Sequence, residues 1–178
     1  MTIEFHAPKA LGASKAGVEK FAEELALKIG FSAGDSIEEL VQRIGGKLVV
    51  GSSGHGDEES GSIVARNVNE FEIFVSRHTS LKRDRFTIAH ELGHLLLHFG
   101  AIKKQDEGAV MRATRYVDQS DQDQQRAEWE ANWFAAAFLM PSDEFAEAFT
   151  EGGVHTAAQR CGVSLQAAKI RAENLNIS

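Results

Sequence analysis

Residues 86–99 read FTIAHELGHLLLHF and place three of the chain's seven histidines in one apolar run. His90 and His94 are four apart. On an α-helix that spacing is about 40° of rotation and about 6 Å of rise, so both rings point into one space. Two imidazoles placed in this way can share one tetrahedral zinc ion at roughly 2.0–2.1 Å each. Glu91 lies about 100° round the helix from His90 and flanks the pair. A carboxylate there can touch an activated water without ligating the metal.

The spacing is the H-E-x-x-H arrangement of zinc peptidases. The competing reading is two core histidines satisfied by backbone carbonyls, and the apolar context makes unpaired polar groups costly there. His98 is not a third ligand, because eight residues of helix separate it from His90 by about 12 Å. It is expected to pack or hydrogen-bond beneath the site.

The third ligand has to come from another segment, and AEWEANWFAA, residues 127–136, is the best source. Its core stripe is Ala127, Ala131, Phe134 and Phe138. Glu128 and Glu130 lie on opposite sides of that stripe, each about 80° from its centre, so periodicity does not choose between them. Their neighbours separate them. Glu130 shares a face with Arg126 at i−4, which reads as an ordinary surface ion pair. Glu128 shares its face with Asn132, Ala135 and Leu139, a poor setting for a carboxylate unless a cation meets it. Glu128 is therefore the favoured ligand and Glu130 the reserve, with Asn132 and His98 as supporting groups that orient the ligands.

The totals agree with a globular protein. The 178 residues are enough for one domain with a proper core, and 43% apolar with 25% charged residues is ordinary. A net charge of −7 repels phosphate and disfavours broad nucleic-acid binding. The single cysteine, Cys161, excludes an intramolecular disulfide framework and a Cys-rich zinc knuckle, and reads as a small buried residue. No signal peptide is visible at the N-terminus and no stretch reaches about 18 consecutive apolar residues, so the expectation is a reduced, cytoplasmic compartment and no membrane contact.

Helical stripes appear at Val18, Phe21, Leu25 and Ile29, stopped by Gly30, and at Ile37, Leu40, Val41 and Ile44, capped by Ser36 or Asp35. KLVV, IVAR and FEIFVS read as strands, the last two joined by a turn at Asn67 to Glu70 and preceded by a Gly/Ser-rich loop over 51–62. The histidine helix is placed at 84–98 with Asp84 as its cap. Residues 101–125 read as irregular, with one short strand near 110–117. The glutamate helix ends before Pro141, and three shorter helices follow. The fold class is α+β, mostly helical, with a sheet of about three strands. All of it reads as one domain, 1–178: N-terminal helices and sheet 10–78, histidine helix 84–98, glutamate helix 121–140, C-terminal helices 141–177. Trp129 and Trp133 form a second apolar face of the glutamate helix, expected to be buried.

RFTIAHELGHLLLH, followed some thirty residues later by EWEANWFAAAFLMP, resembles the ImmA/IrrE family of zinc metallopeptidases. The likeness is strong from Arg85 to Pro141 and weaker on either side. That family is similar to a reduced gluzincin, whose third ligand is a glutamate on a following helix in an E-x-x-x-[DN] pattern. Here the pattern is Glu128 to Asn132. The resemblance implies a zincin-like fold, one Zn²⁺ per chain on His90, His94 and Glu128, and intracellular cleavage of a protein regulator such as a transcriptional repressor. It equally permits a toxin-like or regulatory partner of a toxin–antitoxin or mobile-element module that works by binding, with the metal structural.

For hydrolysis, Glu91 is the expected general base. One protein donor should stabilise the oxyanion, and Tyr116, the only tyrosine, and His155 are the candidates. TAAQRCGVSLQAAKIRAENL has a helix-turn-helix look. A DNA-reading second helix should be basic, and this one sets Lys169 and Arg171 against Glu173, so a structural helix pair is favoured over direct DNA binding.

Overall fold

The computed structural model describes residues 4–51, 62–76, 79–114, 118 and 120–178. The chain order is β1 (Phe5–His6), α1 (Lys15–Ile29), α2 (Ile37–Arg43), β2 (Gly46–Val50), β3 (Ser62–Asn67) and β4 (Glu70–Val75). Then come α3 (Leu81–Gly93), a π-helical turn (His94–His98), α4 (Phe99–Gln105), β5 (Val110–Ala113), α5 (Gln122–Leu139), α6 (Ser142–Cys161) and α7 (Leu165–Asn174). The fold is α+β and mostly helical, as the periodicities imply.

The sheet has five strands rather than three, in the order β1-β5-β3-β4-β2. β3 is antiparallel to both β4 and β5, whereas β2 joins β4 and β1 joins β5 in parallel. The alternation of β4 is the one read from sequence: Phe71, Ile73 and Val75 are buried. The two extra strands are short. β1 pairs through two residues only, too few for any alternation to appear. The expected loop at 51–62 lies, apart from its ends, outside the described residues.

α1 begins at Ser14, whose side chain accepts from the Gly17 N–H at 3.1 Å, and ends at Gly30 in the left-handed region at φ 67°. Its buried face is Val18, Ala22 and Ala26, one step round from the expected stripe, and Phe21 is 40% exposed. The cause is close packing against α5: small residues allow the two helices to approach, and Phe21 covers the rim beside Phe134 at 6.3 Å between ring centroids. α5 is the central helix, packed on α1 and α3. Phe134 and Phe138 stack at 5.3 Å, and Phe31 stacks on Phe138 at 4.7 Å.

The histidine helix starts three residues earlier than Asp84 suggests. Ser80 is the cap, accepting from the Arg83 N–H, while Asp84 takes the Thr79 hydroxyl instead. It also runs further, since a π turn carries it into α4 as far as Gln105, a region read as irregular. α6 holds two of the three expected C-terminal helices, joined at a kink where Gly152 and Gly153 leave helical geometry.

At the opposite end of α5, Arg171 is 2% exposed. Its Nε donates to the Met140 carbonyl at 3.0 Å, and its two terminal nitrogens donate to Glu19 and Glu23 at 2.8 Å each. Glu23 also accepts from the backbone and hydroxyl of Ser142, at 3.0 Å each. One guanidinium therefore fastens α7 to α1 and to the α5–α6 corner. Among the described residues no helix is long and apolar enough to cross a membrane.

Candidate metal centre

α3 and α5 approach closely because Gly93 faces Ala131. A β-carbon on Gly93 would lie 3.1 Å from both the Ala131 Cα and its carbonyl oxygen. That contact brings the first turns of α5 opposite His90 and His94. The Nε2 atoms of the two histidines are 3.1 Å apart. Glu128 meets both, with Oε2 3.1 Å from His90 Nε2 and Oε1 3.0 Å from His94 Nε2. One ligand atom from each of the three residues lies within 4.8 Å of the others, a group able to hold a metal ion.

The donor set fits a tetrahedral cation. The edge of a tetrahedron around zinc with bonds near 2.05 Å is about 3.3 Å, close to the three separations observed. Two ring nitrogens that face each other at hydrogen-bond distance also have no good arrangement if both carry protons. A second observation agrees: among the described residues, the buried Oε2 of Glu91 has no hydrogen-bond partner. Glu91 is 3% exposed and lines the same cleft as the three converging residues.

Electrostatics follow the geometry. Burial pushes the Glu91 carboxyl up to about 7, more than the nearby His90 lowers it. Burial drags His94 down to about 4 against the restoring bond from Glu128, so its ring is neutral, the form a metal needs. Burial also lowers His90, but the bond from Glu128 and the charge of Glu91 outweigh it and the net direction is upward. Burial works to raise Glu128, and its hydrogen bonds to His90 and His94 reverse this and hold it below the carboxylate range.

The supporting groups sit behind the rings. The Asn132 side-chain oxygen is 2.9 Å from His90 Nδ1. His98 is fully buried, with Nδ1 3.1 Å from His94 Nδ1 and Nε2 3.0 Å from Glu130 Oε2. Burial keeps His98 below its ordinary value and neutral.

Glu130 is not a surface residue. It does meet Arg126, at 3.4 Å, yet it is itself fully buried, accepting from the backbone N–H groups of Leu11 and Ala13 at 2.8 and 3.1 Å. The segment before α1 covers that side of α5, and no periodicity within α5 could reveal it. Trp129 departs from expectation in the other direction and is 52% exposed, leaving Trp133 to pack alone under the Arg126 guanidinium.

Tyr116 lies outside the described residues. Thr114, two positions before it, lines the cleft together with Arg83 and Thr87, which sequence reasoning had no signal to find. His155 is exposed on α6 and is not among the cleft residues. Cys161 is buried, and burial raises its thiol to about 11. Arg171, one of the two cations weighed for DNA contact, is locked inside the protein.

No curated protein matches the chain. Among solved structures, a Mycobacterium tuberculosis transcriptional regulator has a similar fold, with a TM-score of 0.61 at 19% sequence identity. The match covers 88% of this chain and 46% of that one, so the chain spans a little under half the length of that regulator. The family model described as the IrrE N-terminal-like domain, a peptidase family, matches residues 55–173. With more than half of its length matched, the chain belongs to this family of IrrE N-terminal-like peptidase domains.

Proposed function

We propose that the chain is a zinc-dependent endopeptidase that cleaves an intracellular protein regulator, with a transcriptional repressor or antitoxin as the substrate class. One observation carries the reading: three ligand atoms converge beside a buried carboxylate oxygen that has no other described partner. His90, His94 and Glu128 would hold the ion, one per chain. Zinc bound there supplies a Lewis acid that polarises the scissile carbonyl and acidifies water.

The chain's own residues do the rest. Glu91 takes the proton of the attacking water on its free oxygen and returns it to the leaving amine. A carboxyl pushed up to about 7 is well matched to both transfers. Asn132 accepts from His90 Nδ1 and His98 accepts from His94 Nδ1, so each ring is fixed with Nε2 toward the ligand position. Tyr116 is the proposed donor to the oxyanion, and its neighbour Thr114 already lines the cleft. The repressor is read as substrate because the family and its structural neighbour both concern regulation, and the acidic chain is a poor partner for DNA itself.

The test is Glu91→Gln in the zinc-loaded protein, incubated with a co-encoded repressor and followed by mass spectrometry. The expected result is unchanged zinc content with cleavage slowed by about 10²–10⁴-fold. Cleavage at the normal rate removes Glu91 as the base. Binding of the repressor with no cleavage by either form turns the reading toward a partner-binding regulator.

A further inference from the structure

α5 presents two glutamates to the histidine helix, and the proposed chemistry uses one. Glu130 accepts from four donors: the N–H groups of Leu11 and Ala13, the Arg126 Nε and the His98 Nε2. A carboxylate so surrounded is an acceptor only. His98 must therefore present its N–H at Nε2. A neutral imidazole has one N–H, so His98 Nδ1 is a lone pair. The atom 3.1 Å from that lone pair is His94 Nδ1, which has to be the donor. With Nε2 held by the ion, the single proton of His94 sits on Nδ1. Without the ion that Nε2 lone pair would face the Glu128 carboxylate at 3.0 Å, two acceptors that need a cation or a proton between them.

We infer that Glu130 is a positioning residue, which acts through His98 to fix the tautomer and ring orientation of His94 for metal binding. The inference rests on the metal reading of His90, His94 and Glu128. A self-contained buried polar cluster would need no particular direction. This one has a direction, running from a four-donor carboxylate to the ligand nitrogen, and each proton position follows from the one before. Its far end is anchored outside α5. Leu11 and Ala13 give two of the four bonds, and Arg126 donates to the Ala13 carbonyl at 2.6 Å. The segment between β1 and α1 therefore belongs to the apparatus that orients His94.

Two measurements test this, and neither is cleavage. The first is nitrogen–proton correlation NMR of the histidine side chains in the zinc-loaded full chain. The expected tautomers are a proton on Nδ1 of His94 and on Nε2 of His98. A His98 proton on Nδ1 overturns the inference. The second is zinc affinity by competition with a chromophoric chelator, comparing the unmodified chain with Glu130→Gln. The expected loss is about 10–100-fold, with cooperative melting of the metal-free variant retained. Zinc affinity within twofold of the unmodified chain overturns the inference. If Glu130→Gln does not fold, the tautomers of the unmodified chain decide. A chain that takes up no zinc loses the metal reading, whereas one that binds zinc with His98 protonated on Nδ1 loses the relay alone, so the two failures are distinct.

Discussion

Two buried polar clusters hold the helices around α5, and they are built on opposite plans. In the Arg171 cluster charge meets charge: a guanidinium at 2% exposure sits between two carboxylates and a carbonyl. In the cluster at the other end, two ring nitrogens confront each other at 3.1 Å and a glutamate oxygen beside them has no described partner. The first is complete without any ligand. The second has its polar groups aimed at a point where a cation would satisfy them. Buried polar groups left in mutual conflict are costly, so a fold that maintains them keeps them for chemistry, while the matched cluster serves stability.

Breaking the matched cluster should give the largest change in stability. Arg171→Leu leaves Glu19 and Glu23 without their shared cation. The expected loss is about 3 kcal/mol, at the lower end for a broken buried pair because both glutamates are partly exposed. The thermal midpoint should fall by about 6–12 °C with zinc affinity unchanged. A zinc affinity that falls in parallel would join the two clusters into one unit.

The opposite sign is expected at Glu91. Its carboxyl is raised from 4.5 to about 7, so the folded metal-free state binds the proton more tightly than the unfolded chain. Stability is therefore lost as pH rises from 4.5 through 7. Glu91→Gln abolishes that loss. Above pH 7 the metal-free variant should be more stable than the unmodified chain by about 2 kcal/mol, allowing for the cost of a buried amide. Below pH 4.5 the order should reverse, the variant being less stable by about 1 kcal/mol because only the cost of the buried amide remains, as chemical unfolding at several pH values would show. An unchanged or lowered stability at pH 8 would mean that the glutamate oxygen is satisfied after all.

The smallest effect belongs to the contact that brings α5 to α3. Gly93→Ala puts a methyl group 3.1 Å from Ala131 backbone atoms, which have to give by a few tenths of an ångström. The expected cost is about 1 kcal/mol, with a measurable weakening of zinc binding because Glu128 moves with α5. Calorimetry of metal-free and zinc-loaded forms separates the two contributions.

The parts of this molecule that repeat at short range were readable in its sequence. The i, i+4 spacing of His90 and His94, the alternation of Phe71, Ile73 and Val75, and the Asn132 position four beyond Glu128 each follow from one element's own geometry. What was not readable depends on which element lies opposite. Glu130 looked like a partner for Arg126 at the surface because the residues that cover it are more than a hundred positions away. The inward shift of α1 onto alanines reflects how closely α5 packs. The π turn arises within the histidine helix, yet LLL carries no local mark of it. Ser80 replaced Asp84 as the cap because two capping residues stood within one turn and propensity alone could not rank them.

The bonds from Leu11 and Ala13 to Glu130 span 119 and 117 residues. The helical spacing that pairs the ligand histidines is local to one helix, whereas the full set of donors around Glu130 exists only once the segment before α1 lies across α5. A truncation or loosening of that remote segment therefore reaches the ion-gripping end of the fold without touching a ligand.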